Sequence, residues 1–273
     1  MLSRKPRIQR FWRHWTACAL LAISLAAAGS LAGQARHKTH TQPKTDPKPA
    51  VNALPPFRVG EQLDYRVSWA TFTTAATIRL AVAERRELRG WDTFHLRATA
   101  RTENAARILY TVDDQFDSYS DTGTLASHQY EMYIREQGKQ VDDVIRLLPQ
   151  GTAVGGSESS VIVLPGTRDP VGVIYFLREV DWQRTPTTAA PVYDGKKFYD
   201  LHAQLASAHE TVTVPAGSFS ASRITVQVFE YRQQTPAASF SIWLAQDAAH
   251  TPVLMQADLP FGSVRAELTG AAK

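Results

Sequence analysis

The chain has 273 residues, 44% of them hydrophobic and 21% charged, with a formal net charge of +4. That charge belongs to the N-terminus: residues 1–35 hold five basic residues (Arg4, Lys5, Arg7, Arg10, Arg13) and no acidic one, and the stretch after Pro56 holds 21 Lys and Arg against 25 Asp and Glu. A net −4 in the folded part removes the basic footprint that nucleic-acid binding needs, and the single cysteine, Cys18, excludes disulfides, thiolate metal sites and cysteine nucleophiles from everything after it.

In chain order, "MLSRKPRIQRFWRHW" reads as a basic n-region and "TACALLAISLAAAGSLAG" as an uncharged apolar run. Small residues at Ala26/Ala28 and Gly33/Ala35 stand where a signal peptidase would cut. Residues 1–35 are therefore expected to be a Sec-type signal peptide, with an uncleaved membrane anchor as the other reading. Both readings put the positive flank in the cytoplasm and deliver the rest to the periplasm or cell envelope of a bacterium. Any membrane contact is expected through this segment alone, if it is uncleaved. Cys18 lies at the start of the apolar run, the wrong end for lipidation. Residues 36–56 are rich in Pro, Lys and Thr without apolar periodicity and read as an extended tether; His37 and His40 within it are expected to be solvated.

From Phe57 to the C-terminus the texture is that of one β-rich domain. Leu63, Tyr65, Val67 and Trp69 alternate with polar residues at the two-residue period of a half-buried strand. The period returns in "ATIRLAV", "TFHLRATAR", "HQYEMYIRE", "KFYDLHAQL" and "ITVQVFEY", and "SFSIWLAQ", "PVLMQADL" and "SVRAEL" form a terminal meander. Asp194-Gly195 and Pro215-Ala216-Gly217 are turn signals. Ten or more antiparallel strands cannot stay flat, so the expected fold is mainly β: a curled antiparallel sheet forming an incompletely closed half-barrel.

"TRDPVGVIYFLREVDW" breaks this pattern as one helix near 169–181. Asp169 can cap its first turn and Pro170 suits the first helical position. Val171, Val173, Ile174, Tyr175, Phe176, Leu177 and Val180 then cover most of its circumference, so the helix must be enclosed on several sides. It could fill the core, or act as a plug or lid over a cavity. Arg178, near its C-terminal end, needs a carboxylate or the terminal carbonyls; Asp247 and Asp181 are the candidates.

Motifs with known chemistry fail on inspection. "HETVT" (209–213) lacks the second histidine of a zinc-protease helix and continues as strand, and "GGSESS" (155–160) lacks the closing glycine of a nucleophile elbow. Asp113, Asp117 and Asp121 would share one strand face with Gln115 and Tyr119, reading as a solvated surface. His95, His128, His202, His209 and His250 are scattered singly, and isolated outward-facing histidines are the expectation. No catalytic, cofactor-binding or metal-binding residue is predicted.

Five ordered stretches, "FRVGEQLDYRVSW", "RDPVGVIYFLR", "DGKKFYDL", "VTVPAGSFSASRI" and "FSIWLAQDAAHTPVLMQADLPFGSVRAEL", resemble the bacterial exported domain-of-unknown-function family numbered 3108 over about residues 57–268. One departure is "FTTAATIRL", where Thr74/Ala75 stand in place of the glycine expected in the turn before the second strand. The resemblance implies a β-rich envelope protein and no assigned activity. The final meander is also similar to the ends of half-barrel lipoprotein-carrier proteins, at the level of fold only.

These readings lead to an exported envelope protein that binds an apolar or lipid-like amphiphilic ligand in the concave sheet without catalysis. Val171, Ile174, Tyr175, Arg178 and Trp243 are the expected ligand or lid positions. One alternative is a scaffold with a filled core that docks onto an envelope protein partner. The other is an enzyme acting on an envelope polymer, which needs two of the scattered His, Asp or Glu side chains to converge.

Overall fold

A computed structural model describes residues 55–69, 72–152, 159–231, 233–259 and 262–272. The signal-peptide reading and all but the end of the tether fall in residues 1–54 and lie outside the described residues, as does most of "GGSESS".

Thirteen strands make one sheet: β1 Gln62–Trp69, β2 Phe72–Leu88, β3 Trp91–Thr102, β4 Asp113–Asp121, β5 Ser127–Glu136, β6 Lys139–Pro149, β7 Ser160–Val163, β8 Thr187–Tyr193, β9 Phe198–Val214, β10 Gly217–Glu230, β11 Ala238–Ala245, β12 Pro252–Leu259 and β13 Gly262–Ala272. Among the described residues two helices interrupt them, α1 Asn104–Leu109 and α2 Pro170–Glu179. The sheet order is β7-β6-β5-β4-β3-β2-β1-β13-β12-β11-β10-β9-β8, and every neighbouring pair is antiparallel except β6 and β7.

The alternation in sequence becomes the two faces of this sheet. Leu63, Tyr65 and Val67 on β1, Ile78, Leu80 and Val82 on β2, and Leu96 and Ala98 on β3 are buried inward, while the intervening Asp64, Arg79 and Arg97 point out into ion pairs. Register shifts between Val82/Glu84 and Ala221/Arg223 interrupt the two long hairpins, where an extra residue bends a strand and increases its twist. Thr74 and Ala75 are not a turn: they lie inside β2, with Ala75 fully buried, so no glycine is required there.

The sheet curls into a barrel whose seam, between β7 and β8, is unsealed. Thr167 and Arg168 span the gap at one point. The Ser127 N–H donates to the Thr167 carbonyl at 2.9 Å, the Arg168 N–H to the Pro191 carbonyl at 3.0 Å, and the Tyr193 N–H to the Arg168 carbonyl at 2.9 Å. The β8–β9 turn also closes onto β5. Gly195, at φ +97°, comes so near that a Cβ there would lie 2.5 Å from Met132 Cε.

Strand directions place the start of β1, the β4–β5 turn and the β11–β12 loop on one rim of the barrel. Both ends of α2 are fixed to this rim. A ten-residue helix is about 15 Å long, enough to lie across a barrel mouth. All ten residues of α2 are buried, and its apolar side chains join those of the sheet in one continuous core.

Candidate functional site

The region with the most buried polar chemistry is α2 with the groups that hold its two ends. At the N-terminal end Asp169 caps the helix as the sequence predicts. Its Oδ1 accepts from the Val171 and Gly172 N–H groups, each at 2.9 Å, and its Oδ2 accepts from the hydroxyls of Ser118 and Ser127. Burial pushes the Asp169 carboxyl up, against the lowering effect of these hydrogen bonds. The three serines Ser118, Ser120 and Ser127 also explain Gly172: a Cβ there would stand 3.1 Å from Ser120 Oγ and 3.2 Å from Ser127 Oγ.

At the C-terminal end Arg178 is fully buried and pairs with Glu61, not with Asp247 or Asp181. The guanidinium reaches the two Glu61 oxygens at 2.7 and 2.9 Å, and donates to the Ala249 carbonyl at 2.9 Å. Burial would lower the Arg178 pKa, but the hydrogen bonds and charge of Glu61 carry it above the ordinary arginine value. The two sequence candidates are used locally instead. Asp247 accepts from the Thr251 N–H and hydroxyl, and Asp181 from the N–H groups of Gln183 and Arg184. Glu61 went unnoticed because it precedes the first strand by one residue, where a glutamate ordinarily faces water.

Val171, Ile174, Tyr175 and Arg178 are spaced so that they share one face of α2, and all four are buried. Phe57 packs edge-on to Tyr175 with centroids 4.9 Å apart, and the Arg178 guanidinium lies over both rings. Burial pushes the Tyr175 hydroxyl well up, so it stays protonated. That hydroxyl is enclosed and has no hydrogen-bond partner among the described residues.

The other side of α2 meets the seam. The Arg168 guanidinium stacks 3.7 Å from the centroid of Phe176 and donates to the Gly166 and Thr124 carbonyls. Burial lowers its pKa to about 10, so it remains a cation at neutral pH. Glu179, one turn beyond Phe176, is pushed up to about 7 by burial, with Arg168 as the opposing influence.

Trp243 does not join the four helix positions. It lies on the sheet face opposite Ile242, where its indole N–H donates to Glu210 at 2.7 Å beside the Arg223–Glu210 pair at 2.8 Å.

The histidines are not isolated. His95 Nε2 donates to Asp117 at 2.6 Å, His250 Nδ1 to the Arg178 carbonyl at 2.6 Å, and His128 stacks on Trp91 at 4.3 Å. Asp113, Asp117 and Asp121 do share a face, but Asp117 is only 1% exposed. Burial would raise its pKa, yet hydrogen bonds from His95, Arg97 and Gln115 hold it below the usual carboxylate range. Side-chain length hid this from a one-face reading: the long neighbours fold over the aspartate and seal it. Among the described residues no group of three or more His, Cys, Asp or Glu side chains is placed to hold a metal ion. No described helix is long and apolar enough to cross a membrane.

Comparison with solved structures gives the fold. The crystal structure of a beta-barrel-like protein of the domain of unknown function DUF1849 from Brucella abortus is similar at a TM-score of 0.52 and 13% identity, covering 78% of this chain and 97% of that one. A protein from Parabacteroides distasonis classed provisionally as a lipoprotein matches at a TM-score of 0.37 and 11% identity, covering 82% and 100%. A protein from Bacteroides fragilis classed provisionally as exported, with a YmcC-like fold, matches at 0.35 and 13%, covering 81% and 99%. No functionally curated protein matches the chain. The family model described as "Protein of unknown function (DUF3108)" matches residues 64–269, nearly the whole sheet and all of α2, and the chain belongs to that family.

Proposed function

We propose that this is a non-catalytic protein of the bacterial cell envelope that holds an apolar or amphiphilic molecule against the concave face of its sheet, with α2 as the floor of the site. The observation that carries the reading is the unsealed seam between β7 and β8, which borders a continuous apolar core. Ile162 on β7 and Leu164 just beyond it are exposed beside that opening, an apolar margin suited to an apolar molecule. The basic and apolar N-terminus supports export.

Uptake of Nile red by delipidated protein tests the proposal. A fluorescence rise that saturates near one dye per chain is expected. A flat signal across the titration would sink it.

A second reading is a scaffold with a filled core that docks onto an envelope protein partner, and the complete burial of α2 favours it. Crosslinking in intact cells distinguishes the two: this scaffold would capture one protein partner and no lipid.

A further inference from the structure

The polar cluster at the C-terminal end of α2 is balanced in charge and incomplete in hydrogen bonding. Arg178 supplies one cation and Glu61 one anion, paired through two hydrogen bonds, with the Ala249 carbonyl taking further donors. Tyr65, also buried, donates its hydroxyl to the Pro252 carbonyl at 2.7 Å. The Tyr175 hydroxyl, on a side chain with no exposed surface, is left without a partner. Buried polar groups in folded proteins are nearly always satisfied, so an enclosed hydroxyl without a partner points to a hydrogen-bonding group that arrives from outside the chain.

Charge decides what that group can be. A carboxylate or phosphate would place a second anion next to Glu61 with the Arg178 guanidinium already engaged. An ammonium would stand against Arg178 with Glu61 already taken. Either would be a buried charge without a counter-charge, which is far more costly than burying a neutral polar group. The surroundings are otherwise apolar: the Phe57 ring, its centroid 4.9 Å from that of Tyr175, and Val171 and Ile174 on the same helix face.

Resting on the binding reading above, we propose that Tyr175 is the polar contact of the ligand site, and that the ligand is an uncharged amphiphile whose alcohol, ester, ketone or amide oxygen meets the Tyr175 hydroxyl. The apolar remainder of the ligand lies along the helix face and the inner sheet.

Displacement of Nile red from the delipidated chain by 1-dodecanol, by dodecanoate at pH 8 and by dodecane tests this. Dodecanol is expected to bind at least tenfold more tightly than dodecanoate. Tyr175→Phe is expected to weaken dodecanol by about three- to tenfold, the effect of one hydrogen bond, and to leave dodecane unchanged. Equal or tighter binding of dodecanoate would overturn the inference, as would unchanged dodecanol binding in Tyr175→Phe, which would leave that hydroxyl to an ordered water. Should Tyr175→Phe fail to fold, the preference of the unaltered chain for alcohol over acid still decides. If Nile red binds but the alcohol shows no advantage, only this inference falls; if Nile red itself does not bind, the binding reading falls with it.

Discussion

Arg178 and Glu61, 117 positions apart, meet as a two-point ion pair inside the barrel, with side chains 1% and 4% exposed. The pair ties the end of α2 to the segment that opens β1. Two buried charges gain little net stability, because desolvation opposes their attraction. Removing one partner is different, since the other is left charged and enclosed. Arg178→Met is therefore expected to lower unfolding stability by about 3–5 kcal/mol. The double variant Arg178→Met/Glu61→Leu should recover most of that loss. Urea denaturation of the three proteins measures both effects.

Asp169 and Gly172 make the corresponding contact at the other end of the helix. Asp169→Ala removes the cap and leaves the Ser118 and Ser127 hydroxyls without their acceptor, so a loss of roughly 2–4 kcal/mol is expected. Gly172→Ala should destabilise by about 1–2 kcal/mol, although alanine is the better helix former. The reason is steric, with Ser120 Oγ 3.1 Å from the new methyl group. Adding Ser120→Ala should restore part of the loss, measured by thermal unfolding.

Glu179 gives the fold a pH dependence near neutrality. Its carboxyl is pushed up to about 7 from an ordinary 4.5, so the folded chain binds this proton more tightly than the unfolded chain does. Stability from this group is greatest below about pH 4.5, falls as the pH rises towards 7, and is level above that. Asp169, also raised by burial, acts in the same direction; Asp117, lowered in the fold, acts oppositely and only in acid, and His128, lowered by burial, acts oppositely near neutrality. Between pH 5 and pH 8 a loss on the order of 2 kcal/mol is expected, and Glu179→Gln should remove most of it. Denaturant titrations at a series of pH values check the slope.

Trp243 supplies a contrast on the outer face. Trp243→Phe loses the indole hydrogen bond to Glu210 but keeps the Arg223–Glu210 pair. A cost of about 1 kcal/mol or less is expected, with no change in Nile red affinity. A Trp243→Phe protein that loses dye binding would place the ligand on the outer face and contradict the account.

Much of this architecture is legible in the sequence because its cause is local. The two-residue alternation marks β1, β3, β5 and the meander, and Asp169-Pro170 announces the start of α2. What escapes depends on distant partners. β6 carries a polar run, "KQVDD", over its exposed half and shows no alternation there. β7 and β8 are edge strands, short and weakly patterned. α1 is six residues long with Ile108 and Leu109 exposed, so it has no amphipathic face to read. The site follows the same rule. The shared face of Val171, Ile174, Tyr175 and Arg178 follows from helical spacing, whereas Glu61 becomes the partner of Arg178 only when the sheet curls. Trp243 misled because its family-like strand says that the residue is there and not which face it takes.

The central claim is that the barrel interior accepts a molecule, and native mass spectrometry of the gently purified chain tests it most directly. The account predicts a population heavier than the bare chain by the mass of one uncharged amphiphile, returning to the bare mass after delipidation. A single species at the mass of the chain alone, with no dye uptake afterwards, would contradict it and leave α2 as the filling of a closed core.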